Sequence, residues 1–476
     1  MVEARVDAGT VRGAVEAGTA VFRGIPFATL PVRFGAPAPV EAWGGVRDAL
    51  AFGPPPPQPP VFGMDELGGS GDDWLTVNVW SPDVTASLPV MVWIQGGAYL
   101  FGTSGLPEYD GARLASGGVV VVTFNYRVGI EGFAQLEGAP PNRGLLDQVA
   151  ALEWVRANVR AFGGDPDRVT VFGQSAGGGS VAALLAMPRA RGLFHRAVAS
   201  SVPGTFFTPE LAFDIAGVCA AELGLRPTAA DLSTVEPELL PAVCDEVMSK
   251  MDRFTGRWGQ AAHKMIPFAP VVDGDVLPVT PWEALASGTA REVELVVGHT
   301  RHEQRLLSAV LGLLGEVTPE QASVAARVFA PGLTYPDLTP GELFEEVCSD
   351  WLFRMPTLHL AQAAIAGGGR AHVYELTWEP PGGLGACHGL DVPMVFGTPG
   401  LGQTAAIVGE VTGEVLALSD RMRSAWTAFA RTGDPGWPAY GADRLTRVFD
   451  VRDEVRAYPE EVSRRIWRHH TFRALR

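Results

Sequence analysis

The sequence predicts an α/β fold, a large and mostly parallel central sheet flanked by helices on both faces, with helical cap insertions. Two patterns carry that expectation. Short apolar runs bounded by turn residues recur at 90–94, 119–123, 169–172 and 294–297 and read as buried strands. Between them lie helical patterns, the clearest placing Val149, Leu152, Val155, Val159 and Phe162 at three- and four-residue spacing before Gly163 and Gly164 close it. Strand and helix alternate, which is how a parallel sheet acquires helices on both faces.

The 476 residues would suffice for several average domains, yet neither an internal repeat nor a clean linker interrupts them. One elaborated domain over 1–476 is therefore expected. Strand signals fade across 203–268 and helical patterns replace them, so this segment is read as a cap-like insertion beside the site. The proline run at 54–60 lacks most backbone donors and predicts a rigid, extended surface loop.

With 47% hydrophobic and 19% charged residues the composition is that of an ordinary globular protein. A net charge of -16 argues against a nucleic-acid partner, which calls for a basic face. Arg464, Arg465, Arg468, Arg473 and Arg476 form one basic cluster, read as a solvated terminal helix. Cys219, Cys244, Cys348 and Cys387 lie far apart without metal-ligand spacing, so neither a metal nor a disulfide framework is expected. No run of about 18 apolar residues predicts a membrane span, and no signal peptide is evident, so the expected compartment is the cytoplasm.

Chemistry concentrates where the apolar run 169–172 enters Gly173-Gln174-Ser175-Ala176-Gly177, followed by a helical pattern that Pro188 terminates. This strand, turn and helix is the setting that a G-x-S-x-G nucleophile turn of α/β-hydrolases requires. Its glycines permit a tight turn, and the following helix offers its positive end to an anion forming at the serine. Ser175 then needs an imidazole to take its proton, and the imidazole needs a carboxylate to fix its tautomer.

Among nine histidines, His388 stands in a glycine-flanked loop after the strand pattern at 371–378, where its ring can approach another loop. His359 and His372 read as packed or surface histidines, and His469 and His470 belong to the basic tail. Candidates for the acid are Glu303, after the strand at 294–297, and Asp273 or Asp275, with Glu303 the better placed. Backbone donors for an oxyanion are expected from Gly97 and Ala98, in the small-residue turn after 90–94, together with Ala176.

Longer motifs extend across the chain: Phe22-Arg23-Gly24-Ile25-Pro26-Phe27-Ala28, Asp73-Trp74-Leu75-Thr76-Val77-Asn78-Val79-Trp80, Asn125-Tyr126-Arg127-Val128-Gly129 and Phe162-Gly163-Gly164-Asp165-Pro166. With the serine turn and the histidine loop, they make the sequence resemble type-B carboxylesterases, a group that includes para-nitrobenzyl esterases and, more distantly, cholinesterases. The resemblance assigns the acid to Glu303, within Gly298-His299-Thr300-Arg301-His302-Glu303-Gln304. It also makes Asp273 structural, Arg127 and Asp147 a scaffold ion pair, and Ser201 a support for the acid.

Several residues depart from the family pattern. Gln174 replaces a glutamate beside the nucleophile, which removes a negative charge and disfavours cationic esters. Gln95 replaces a histidine before the oxyanion glycines, Trp74 replaces a cysteine of a common disulfide, and His302 and Gln304 flank Glu303 unusually. The resemblance implies a serine esterase acting on small to medium neutral carboxylic esters without metal or organic cofactor. Other classes remain open: hydrolysis of amides, carbamates or lactones, and a non-catalytic binding protein. Leu306, Leu307, Val310, Leu311, Leu313 and Leu314 would line an acyl pocket or pack in the core. The sequence assigns no oligomeric state.

Overall fold

A computed structural model describes residues 1–60 and 71–476. Its centre is a thirteen-stranded sheet. Seven neighbouring strands are parallel and run, across the sheet, Val120–Phe124, Leu88–Ile94, Gly164–Gln174, Arg196–Ser200, Glu294–Thr300, Ala371–Leu376 and Leu445–Phe449. Antiparallel strands extend both edges, including Thr76–Ser81 beside Val120–Phe124 and Glu454–Ala457 beside Leu445–Phe449.

Every expected strand is present: those at 90–94, 169–172 and 294–297 are lengthened, that at 119–123 is shifted by one residue, and that at 371–378 ends at Leu376. Their apolar runs are continuous because both faces are covered. Along one strand Val90, Val92 and Ile94 join one core, while Met91 and Trp93 join the other. This alternation divides the apolar residues between two helical layers. The predicted helix around 149–162 is Arg143–Asn158 with a 3-10 turn to Phe162, ended by Gly163 at φ 78°.

Segment 203–268 is mainly helical, with Pro209–Glu222, Leu240–Ser249 and Thr255–His263 as its longer helices. Phe206 and Thr208 exchange backbone hydrogen bonds with Leu475, so the C-terminal residues strap this segment down. The basic tail is solvated as expected, with Arg465, Arg468, Arg473 and Arg476 exposed and Arg464 half-buried, although Arg473 and Arg476 lie beyond its helix. Its helix Glu461–Trp467 buries Trp467 and pairs Arg464 and Arg465 with Glu461.

The proline run lies at the surface but is anchored there, with Pro56, Gln58 and Pro59 buried and the other residues of 54–60 half-buried or exposed. Gln58 is buried, donates to Gly102 O at 3.2 Å and accepts from Gly102 N at 2.8 Å. A side-chain amide can satisfy a backbone donor and acceptor at once, which holds this donor-poor segment against the turn after Leu88–Ile94. Arg127 and Asp147 form a bidentate pair at 2.8 and 2.7 Å, both fully buried.

Candidate active site

Apart from Gln174, which ends its strand, the candidate site residues lie beyond the carboxyl ends of parallel strands, where ligands of such sheets bind. Gly164–Gln174 ends at Ser175, whose φ of 59° and ψ of −126° precede the helix Ala176–Ala186. A residue with a Cβ adopts that backbone only under strain, and its surroundings enforce it. Ser175 N–H donates to Ser200 O at 3.0 Å, and Ser175 O accepts from Gly179 N–H at 2.8 Å. Ser175 is only half-buried.

The turn after Leu88–Ile94 lies directly against this elbow. A methyl placed on Gly96 would sit 3.2 Å from Ser175 Cβ and 2.9 Å from Gln174 O. Gly97, Ala98 and Tyr99 follow at φ 118°, 54° and 61°, a left-handed run that only the glycine adopts at little cost. Gly97 O accepts from Leu100 N–H at 2.9 Å, and Tyr126 hydroxyl donates to Gln95 O at 2.7 Å, which fixes the turn. Among the described residues no acceptor takes the N–H of Gly97 or Ala98. Ala176 opens its helix, so its N–H has no intrahelical partner.

Glu303 is wholly buried at the start of the helix Glu303–Val310. Its Oε1 accepts from Ser201 hydroxyl at 2.6 Å and from Thr300 N–H at 2.9 Å, while Oε2 lies 2.5 Å from His388 Nδ1. Burial pushes this carboxyl up, but the imidazole and the Ser201 hydroxyl outweigh it and hold it below the usual carboxylate range.

His302 locks the acid loop to the histidine loop. Its N–H donates to Ala386 O at 2.9 Å, and its Nδ1 accepts from Ala386 N–H at 3.2 Å. Burial, aided by Arg305 and Arg301, lowers its pKa to about 4, so the ring is neutral and free to accept. Gly385, at φ 61°, has no side chain to obstruct that ring. The unusual flank of Glu303 therefore builds the loop instead of disturbing it.

His388 is nearly buried, with Phe353 stacked on its ring at 4.2 Å between centroids and 26° between planes. Gln174 Nε2 lies 3.2 Å from His388 Nε2, where no hydrogen bond to Ser175 Oγ is made. The structure thus brings Gln174, Glu303, Ser201 and His388 together and sets the elbow beside the Gly97 turn.

Asp273 is elsewhere, accepting from the backbone of Asp275 and Val276 and from Asn142 in a turn. His372 contacts Trp437 O, and His359 meets Phe472 edge-on. The leucine-rich stretch does not fill the core. Val310, Leu311 and Leu314 are 67%, 52% and 42% exposed.

Sequence reasoning missed Asp391 and Phe353. Asp391, three residues after His388, is fully buried and has Tyr374 hydroxyl at 2.7 Å, which also lies 2.7 Å from Ser200 Oγ. Burial raises its pKa to about 6. An acid three residues after the histidine was the available signal. For Phe353 the signal was Pro356, which disturbs the helical pattern around it.

Comparison with known proteins gives one answer. The model of the carboxylesterase family matches residues 1–327 and 337–461. Para-nitrobenzyl esterase of Bacillus subtilis is 39% identical over 496 aligned positions, covering 96% of each chain. Phenmedipham hydrolase of Pseudarthrobacter oxydans is 34% identical and covers 97% of each. A solved PNB esterase superimposes with a TM-score of 0.86 at 37% identity, over 97% of this chain and 98% of that one. The fold is that of the α/β-hydrolases, and the chain belongs to the carboxylesterase family, whose members hydrolyse carboxylic esters.

Proposed function

We propose that this carboxylesterase cleaves small to medium neutral esters by two-step acyl transfer, with Ser175 as nucleophile, His388 as base and Glu303 as the acid that orients it. The pairing of buried Glu303 with His388 Nδ1 at 2.5 Å, beside the Ser175 elbow, carries this reading. Glu303 fixes the tautomer that leaves Nε2 able to accept a proton and stabilises the imidazolium that results. The Gln174 amide yields Nε2 to Ser175 Oγ as substrate enters; catalytic hydrogen bonds commonly tighten at that stage.

Oγ adds to the ester carbonyl while its proton passes to His388. The N–H groups of Gly97, Ala98 and Ala176 receive the oxyanion, which is worth more in a site closed to water. His388 then protonates the departing alcohol. Water repeats the sequence to release the acid. The neutral Gln174 supports a preference for uncharged esters. Segment 203–268 is read as a cap within one domain, and four cysteines without disulfides fit work in the cytoplasm.

A fluorophosphonate probe is expected to label the native protein and miss Ser175→Ala; equal labelling of both would end the proposal. Initial rates across acyl-chain lengths are expected to peak at short to medium chains, and a peak at long chains would overturn the substrate range. A second reading keeps the same nucleophile and base, since acyl transfer from amides, carbamates or lactones also passes through an acyl-enzyme. Anilides or carbamates turned over as fast as matched esters would establish it.

A further inference from the structure

We propose that Phe353 is a positioning residue that fixes the plane of the His388 imidazole, and that the widened helical turn Asp350–Arg354 exists to place it there. The proposal rests on His388 as the base.

The turn has a cause in the sequence. Pro356 has no N–H, and its ring crowds the carbonyl four residues back, that of Leu352. The chain responds with a π-helical turn in which Met355 N–H donates to Asp350 O, five residues back. Leu352 O accepts from Gly204 N–H at 2.8 Å instead. One extra residue rotates the side chains before it by about 100° relative to those after it. Single π-helical turns of this kind recur at functional sites.

The turn is tied to the acid on two sides. Val202 N–H donates to Thr357 Oγ1 at 2.8 Å, next to the Ser201 that holds Glu303. Arg354, 1% exposed, binds Asp350 at 2.8 Å through Nε and donates from Nη1 to Arg301 O at 3.2 Å, in the loop leading to Glu303. Arg354 also pairs with Glu346. Asp350 accepts from Tyr335 hydroxyl at 2.8 Å, and that hydroxyl accepts from Trp467 Nε1 at 2.7 Å. Each charge has partners, so the turn is held rigidly in a region where an unpaired charge would be costly.

A ring held only at Nδ1 can still tilt about that hydrogen bond. The flat face of Phe353, 4.2 Å away, blocks the tilt and fixes the ring plane in which Nε2 meets the Gln174 amide beside the Ser175 elbow. The same face favours the imidazolium formed when His388 takes the proton, through the negative potential of an aromatic ring. Misplacing a catalytic group by about 1 Å can cost roughly 100-fold in rate.

The test compares Phe353→Leu, Phe353→Met and Phe353→Tyr with the native enzyme on one p-nitrophenyl ester, measuring kcat, KM and thermal unfolding. Leu and Met fill space without a flat face and are expected to lower kcat by about 10- to 100-fold with KM little changed. Phe353→Tyr retains the face and is expected to restore most of kcat. Native kcat in Leu or Met, or a loss in Tyr equal to theirs, would overturn the proposal, as would losses confined to KM. His388→Ala is run in parallel. Native rates in that variant would remove the base assignment itself, whereas its inactivity beside a fully active Phe353→Leu would remove only the positioning role.

Discussion

Ser201 hydroxyl reaches Glu303 Oε1 over 2.6 Å, from a residue whose own φ is 48°. A backbone in that left-handed region turns the side chain toward the acid at some conformational cost. Thr300 N–H is the other donor to the same oxygen. A hydrogen bond to a charged group contributes about 1.5–3 kcal/mol, so Ser201→Ala is expected to lower kcat by about 10- to 100-fold with KM little changed. Glu303→Gln, which disturbs the tautomer, is expected to cost about 10⁴-fold. Native kcat in Ser201→Ala would show that Thr300 N–H suffices.

Gly97 holds φ at 118°, and a methyl there would strike Phe101 O. Gly97→Ala is expected to displace one oxyanion donor and lower kcat about 10²- to 10³-fold. Thermal unfolding separates this from a loss of folded protein. A folded variant with unaltered kcat would remove Gly97 from the proposed oxyanion hole.

Gln174 places a neutral amide 3.2 Å from His388 Nε2. Gln174→Glu adds one negative charge there, where partial burial strengthens its reach. The ratio of kcat/KM for a choline ester to that for its neutral isostere is expected to rise severalfold. An unchanged ratio would mean that substrate charge is read elsewhere.

Glu375 is wholly buried, with Arg301 Nε at 3.1 Å and Glu460 close by. Burial, reinforced by Glu460, raises its pKa to about 8. The folded protein thus retains a proton that the unfolded chain releases in the ordinary carboxyl range, so this group's stabilisation falls as pH rises toward about 8. Glu375→Gln imitates the protonated form. Between about pH 6 and about pH 9 its Tm is expected to decline less than that of the native protein. Parallel declines would contradict the assignment.

Much of the fold is legible because burial on both faces writes itself as continuous apolar runs, as in Val90, Met91, Val92, Trp93 and Ile94. The Ser175 turn is legible because few residues tolerate so sharp a bend. Pattern alone favoured Glu303 over Asp273 without excluding the latter, since both follow apolar runs. What distinguishes them is which loop meets the histidine loop, and that depends on strands far apart in sequence pairing side by side. Phe353 and Asp391 were missed for the same reason. The exposure of Val310, Leu311 and Leu314 also eluded the pattern, because helical spacing shows that a helix has an apolar face but not what covers it.

The candidate site draws on loops that follow five separate strands. On the proposed triad, Ser175 has no base until the stretch bearing His388 has been synthesised and Ala371–Leu376 has docked. Contacts so distant in sequence form late. On that proposal, acylating power emerges only once these distant loops have met, and a growing chain is spared reaction with the esters around it.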